Sequence, residues 1–215
     1  MLKIYGVYRS RATRPLWLIE ELGLPFEHIP VIQAYRLDDA SVDGAPVNTR
    51  SPEFLSVNPM GSIPSMDDDG FVLHESLAIT LYLARKHGGE IAPKTIEEEA
   101  QMVQWSLFAA TSVETAALTI QSSSASTDEG KAAIEAAART LARPFDVLEK
   151  HLAEDGFMVG KRFTVADINV TEIVRYARSH AALFDGRPAL KAWYDGCVAR
   201  PAYQAMWAKR NAEPA

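Results

Sequence analysis

The 215-residue sequence predicts a small α/β domain followed by an all-helical domain. Three observations carry this. Short strand-like and helix-like pieces alternate up to about residue 87. A Gly88–Lys94 stretch with two glycines and Pro93 then interrupts the pattern. Beyond it, apolar residues recur at three- and four-residue spacing and strand signals nearly vanish. The length suffices for two cores of this size. The expected organisation is therefore residues 1–87, a linker at 88–94, and a helical domain over 95–215.

In the first domain, Leu2 and Ile4 flank Lys3 with period two and read as a strand. Pro15 fits a first helical turn, which Ser10 or Thr13 caps. Leu16, Ile19 and Leu22 follow at helical spacing, and Gly23 is the stop. Phe26–Val31 reads as a second strand. Residues 33–52 show weak periodicity and form a long connection, with a short helical turn near Pro52. Ser62–Met66 and Phe71–Leu73 read as paired strands across an acidic turn at Asp67–Gly70. A helix follows from Ser76 and ends in Arg85, Lys86 and His87 before two glycines, where cations suit the carbonyl end.

In the second domain, Met102, Trp105, Ala109, Val113, Ala116 and Ile120 mark one long helix. Ala133–Leu152 marks another, with a bend expected at Pro144. Leu190, Trp193, Tyr194, Cys197 and Val198 mark a late one. Ser122–Thr127 is a polar loop.

Apolar residues make up 47% of the chain and charged residues 23%, an ordinary globular balance, with net charge −6. Lys and Arg are scattered, which argues against nucleic-acid binding. No apolar run reaches the ~20 residues of a membrane span, and Met1–Tyr5 lacks a signal-peptide core. The single cysteine, Cys197, forms no internal disulfide and fits a reducing, cytoplasmic setting; on its apolar stripe it reads as a buried, inert thiol. The five His residues show no metal spacing, so no metal is expected.

Three segments go further. Tyr8-Arg9-Ser10-Arg11-Ala12-Thr13-Arg14 follows the first strand, where a thioredoxin-like redox domain carries Cys-x-x-Cys; Ser10 and Thr13 stand there instead, so the protein itself performs no disulfide exchange. Asn58-Pro59-Met60-Gly61-Ser62-Ile63-Pro64 precedes Leu73-His74-Glu75-Ser76. Gly160-Lys161-Arg162-Phe163-Thr164-Val165-Ala166-Asp167 contains an acidic capping box. Together, across roughly residues 1–208, they resemble the glutathione transferase family in its cytosolic, serine-type, bacterial-like form.

The resemblance implies a thioredoxin-like first domain with glutathione as co-substrate. It implies Ser10 as the catalytic hydroxyl and a cis peptide before Pro64. The exposed Ile63 backbone would meet the cysteinyl backbone of glutathione, and Glu75 and Ser76 would hold its γ-glutamyl end. The chemistry is sound: a helix N-terminus at Ser76 attracts a carboxylate, and Glu75 can pair with an ammonium. Thr164 and Asp167 match the family's folding motif rather than its chemistry. Two departures concern the glycyl carboxylate. The Arg36–Asn48 stretch is longer than usual, and Ser62 replaces the Lys or Gln of many members, leaving Arg50 or Arg36 to supply the charge. Trp105, Phe108, Tyr176 and Trp207 are candidates to line an apolar substrate pocket, although helical aromatics are commonly core.

The expected activity is conjugation of the glutathione thiolate to small apolar electrophiles, as in detoxification, by a homodimer. A cysteine thiol of pKa near 8.5 is only about 3% ionised at pH 7. A two-unit depression needs roughly 2.7 kcal/mol, within reach of two or three directed donors. An isomerase, peroxidase or thiol reductase would use the same thiolate. A non-catalytic glutathione-binding or structural module is a further alternative.

Overall fold

The computed structural model describes residues 1–42 and 44–214. Residue 43, in the 36–48 connection, and residue 215, at the end of the expected second domain, lie outside the described residues. The chain forms two compact units: Met1–His87 together with the residues from Pro201 onward, and Gly88–Arg200.

The first unit begins β1 (Leu2–Tyr5), α1 (Thr13–Leu22), β2 (Glu27–Ile29), then α2 (Pro52–Val57), β3 (Ser65–Asp68), β4 (Phe71–His74) and α3 (Ser76–His87). The sheet order is β2-β1-β3-β4. β1 runs parallel to β2, pairing Ile4 with His28, and antiparallel to β3, pairing Ile4 with Met66 and Tyr5 with Ser65. A βαβ unit followed by a hairpin puts the ends of β1 and β4 beside the starts of α1 and α3. Gly23 closes α1 at φ 59°, a left-handed geometry that glycine adopts without a Cβ clash. The acidic run divides: Asp68 lies within β3, buried, accepting hydrogen bonds from the Tyr82 hydroxyl (2.9 Å) and Lys86 (2.5 Å), and the turn itself is Asp69–Gly70.

The second unit holds α4 (Ile96–Phe108), a π-helical turn (Ala109–Val113), α5 (Glu114–Ser122), α6 (Asp128–Asp155, with Pro144 inside), α7 (Val165–Val174) and α8 (Pro188–Val198). Thr95 and Thr127 cap α4 and α6 by accepting from the N–H groups of Glu98 (3.2 Å) and Gly130 (3.1 Å). Every residue of α7 is buried. The capping box forms at its start: Asp167 accepts from the Thr164 N–H (2.8 Å) and hydroxyl (3.0 Å), and also from the Met158 N–H (3.0 Å) and Trp193 Nε1 (2.8 Å). Burial pushes the Asp167 carboxyl above its ordinary pKa, against those donors. Arg162 fastens the segment after Gly88, donating to Glu98 (2.8 and 2.7 Å) and to the Glu90 (3.0 Å) and Ala92 (2.9 Å) carbonyls. Cys197 is buried. Among the described residues no helix is long and apolar enough to cross a membrane.

The last helix, α9 (Pro201–Ala212), corrects the expected boundary at 95–215, because it packs on the first unit. The sequence pattern gave α1 one apolar stripe, but Leu16, Trp17, Leu18 and Ile19 are all at most 2% exposed, so α1 is covered on more than one face. α3 supplies one cover and α9 the other. The Trp17 ring meets Tyr203 edge-on at 4.9 Å, and Lys209 pairs with Glu20. Burying a side chain of this kind is worth about 1.5–3 kcal/mol.

Candidate functional site

The site is built in the first unit, from the turn between β1 and α1. Val7 and Tyr8 are buried, and Ser10 is half-buried. The Ser10 hydroxyl donates to the Val7 carbonyl at 2.6 Å and accepts from the Ala12 N–H at 3.0 Å. The Thr13 hydroxyl donates to the Ser10 carbonyl at 3.2 Å. The N-cap of α1 is Ala12, so neither Ser10 nor Thr13 occupies that position; Ser10 instead closes the turn leading into it. Its oxygen sits where the chain turns into the helix, and its proton reaches a ligand only by leaving the Val7 carbonyl.

Tyr8 and Arg11 are the neighbouring alternatives as donors. The Tyr8 ring lies edge-on to His28 at 5.2 Å, its hydroxyl is hydrogen-bonded by Lys209, and burial holds its phenol above the ordinary pKa. Arg11 is exposed.

The second wall comes from the hairpin and α3. The Ile63–Pro64 peptide is cis, and no hydrogen bond holds the Ile63 main-chain groups among the described residues. Asn58 organises this loop, donating to the Ser62 carbonyl (2.8 Å) and the Ser65 hydroxyl (3.1 Å). Glu75 precedes α3 with φ 68°, a left-handed conformation that a residue with a Cβ adopts at a penalty of order 1–3 kcal/mol. Its carbonyl accepts from the Ile79 N–H at 2.9 Å, starting the helix, and its side chain is exposed. Ser76 is buried and accepts from Nη1 of Arg14 at 2.9 Å.

Arg14 is the residue whose role sequence reasoning missed. It was visible one turn after Ser10, yet nothing local showed that this residue, 2% exposed, reaches under the start of α3 with its guanidinium. That cation and the free N–H groups of α3 place positive potential beneath Ser76, with the Glu75 carboxylate beside it, an arrangement that suits a zwitterion.

The remaining candidates fall elsewhere. Arg50 is exposed at the end of the 36–48 connection, and its N–H is held by the Asn48 side chain at 2.9 Å. Arg36 is engaged by the Gln33 side chain (3.3 Å) and the Pro214 carbonyl (3.2 Å). The aromatic candidates divide between the units. In the helical unit, Trp105 is buried with its ring 5.4 Å from Phe108 and 4.6 Å from His151, Phe108 is half-buried, and Tyr176 is buried under Arg175. Trp207 belongs to the first unit and stacks on Tyr203 at 5.5 Å.

A thioredoxin-like sheet with a hydroxyl in place of the redox thiol, a cis-proline loop and a charged helix start defines a protein that handles a thiol ligand rather than one that exchanges its own disulfide. The comparisons name the class more closely. Residues 8–86 match the glutathione S-transferase N-terminal domain and residues 106–201 the C-terminal domain. The chain is 30% identical to glutathione S-transferase 3 of Zea mays, over 94% of this chain and 91% of that protein. Its fold superposes on glutathione transferase F7 of Populus trichocarpa with TM-score 0.81 and 26% identity, covering 98% of this chain and 100% of that one. It superposes similarly on glutathione S-transferase-I bound with lactoylglutathione, with TM-score 0.79, 28% identity, and 97% and 99% coverage. The chain belongs to the glutathione transferase family.

Proposed function

We propose that the first unit binds glutathione and that Ser10 stabilises its thiolate for attack on a small apolar electrophile. Glu75 and Ser76 take the γ-glutamyl ammonium and carboxylate, the Ile63 main chain meets the cysteinyl backbone, and the thiol lies against the turn at Ser10. Arg50, exposed and without a side-chain hydrogen bond among the described residues, takes the glycyl carboxylate. Arg36 is already engaged.

The observation that supports this reading most is the start of α3. A left-handed Glu75 and a buried Arg14 beneath Ser76 are both unfavourable without a use, and together they complement an α-amino acid group. Ser10 acts as a hydrogen-bond donor and forms no covalent bond. The Ser10 O–H turns from the Val7 carbonyl to donate to the sulfur, keeping its proton, and one charge-assisted bond of this kind supplies about 1.5–3 kcal/mol of the stabilisation a thiolate needs. The glutathione proton leaves to solvent, and the sulfur lone pair forms the new C–S bond while the bond from that carbon to its leaving group breaks; with an aryl halide the halide departs as the anion.

A cytoplasmic homodimer acting in detoxification is the corresponding setting. The single cysteine suits a reducing compartment, and Val103 and Leu107, 38% and 56% exposed on α4, suit a second copy. Light scattering at two concentrations checks the dimer. Calorimetric titration with glutathione checks the site, and the absence of affinity at millimolar ligand would remove it. A panel of aryl halides, peroxides and unsaturated diketo acids then separates conjugation from reduction and isomerisation.

A further inference from the structure

The turn that carries Ser10 is held from outside by the C-terminal end of its own unit. The Glu213 carboxylate takes the Tyr8 N–H on one oxygen at 2.7 Å and the Arg9 N–H on the other at 2.9 Å. Arg9 answers with Nε donating to the Glu213 carbonyl at 3.1 Å. Gln33 donates to the Arg9 carbonyl at 3.3 Å, and Arg36 reaches the Pro214 carbonyl at 3.2 Å. Glu213 is itself fixed to α9, its N–H donating to the Lys209 carbonyl at 3.2 Å, and α9 is anchored on α1 through Tyr203 and Trp17.

Two consecutive amides bound by the two oxygens of one carboxylate fix a peptide's position and orientation at once, because each bond alone leaves a rotation that the other removes. The clamped amides are those of Tyr8 and Arg9, the two residues before Ser10. Ser10 is tied forward to Ala12 and Thr13 at the start of α1, whereas on its N-terminal side its hydroxyl meets only the Val7 carbonyl of the same turn. The clamp to α9 therefore refers the loop to the rest of the unit.

We infer that Glu213 is a positioning residue for the reaction: it sets where the Ser10 hydroxyl stands relative to the bound thiol. It touches neither substrate nor sulfur in this role, which rests on the proposed use of Ser10. Removing it leaves two donors without their acceptor and lets the turn move. A displacement of about 1 Å at a reacting group is enough to reduce turnover by an order of magnitude or more. Glutathione binding, carried mainly by the distant α3 start, changes little.

The test uses the full chain with Glu213→Ala and Glu213→Gln. Glutamine keeps the size but turns an NH2 donor toward one of the two N–H groups, so it restores at most one bond. Three quantities are read: kcat with an activated aryl halide, glutathione KM, and the ultraviolet absorbance of the thiolate on bound glutathione at neutral pH. The expected result is a kcat lowered about tenfold in both variants, a smaller thiolate signal at saturating glutathione, and KM within about twofold of the parent. Unchanged kcat and thiolate signal in Glu213→Ala overturn the inference. So does a loss of kcat that matches a loss of folded protein, measured by circular dichroism, with the folded remainder fully active. If the parent protein itself binds glutathione without any thiolate signal, the Ser10 reading has failed, a different outcome from either.

Discussion

Arg14 on the first helix and Ser76 at the start of the third are joined by a 2.9 Å hydrogen bond in which both side chains are buried. This one contact ties the helix that follows Ser10 to the helix start proposed to receive the γ-glutamyl carboxylate.

Arg14→Leu removes a buried cation of large volume and leaves the Ser76 hydroxyl without its donor. Stability measured by urea unfolding should fall by about 2–4 kcal/mol. Glutathione affinity of the folded protein should fall with it, since positive potential beneath Ser76 is lost. A variant with parental stability and affinity shows that the contact serves neither purpose.

Ser10→Ala removes one directed donor from the thiolate and nothing from the α3 start. Turnover should drop by roughly tenfold to a hundredfold while the calorimetric Kd for glutathione stays within a few fold. Full turnover in this variant moves the role off Ser10. Tyr8 or Arg11 is then the next donor to test, since the Lys209 ammonium donates to the Tyr8 oxygen and does not take up its proton.

Glu75→Gly separates stability from function. Glycine adopts φ 68° without the Cβ clash, so thermal unfolding should show a gain of up to about 1 kcal/mol. The same change removes the carboxylate proposed for the ligand ammonium, and affinity should weaken by about tenfold. A variant of lower stability, or of unaltered affinity, contradicts one half of the proposal each.

The helical unit should carry a defined acid sensitivity. The Arg162 guanidinium, hydrogen-bonded to Glu98, holds that carboxyl down at about 2, below the ordinary glutamate value of 4.5. A depressed folded pKa means stability fully present above the unfolded value and lost as pH falls through the folded one. The Glu98 contribution should therefore disappear between about pH 4.5 and pH 2. Glu98→Gln should flatten that part of the curve in denaturant titrations run across the range. An identical slope in parent and variant would show that other carboxyls govern it.

Much of the fold was legible from local chemistry. Period-two and period-3.6 patterns marked the strands and most helices. Gly23 announced the end of α1, and Thr164 with Asp167 announced the start of α7, because turns and caps depend on residues a few positions apart. The candidate residues at Ser10, Ile63, Pro64, Glu75 and Ser76 were likewise visible as short strings.

The last helix was not. It fell within the 95–215 stretch expected to be one helical domain, because the lack of strand signals there says nothing of what a helix packs against. Trp17 and Leu18 gave the only trace, as apolar residues off the main stripe of α1. Arg14 stood in the string that carries the resemblance but showed no partner, and Glu213 was silent. A charged residue on a helix or near a chain end reads as solvated until its partner, 62 positions away for Ser76 and 205 for Tyr8, is brought to it.

The sequence by itself determined the two kinds of domain, the turns that frame the site and the family of the chain, since all of these rest on residues close together along the backbone. Only the tertiary structure decided that α9 closes the first unit, that a guanidinium lies under Ser76, and that a carboxylate from the end of the chain holds the turn before Ser10. Those are contacts between distant segments, and packing in three dimensions selects them where local preference has no means to.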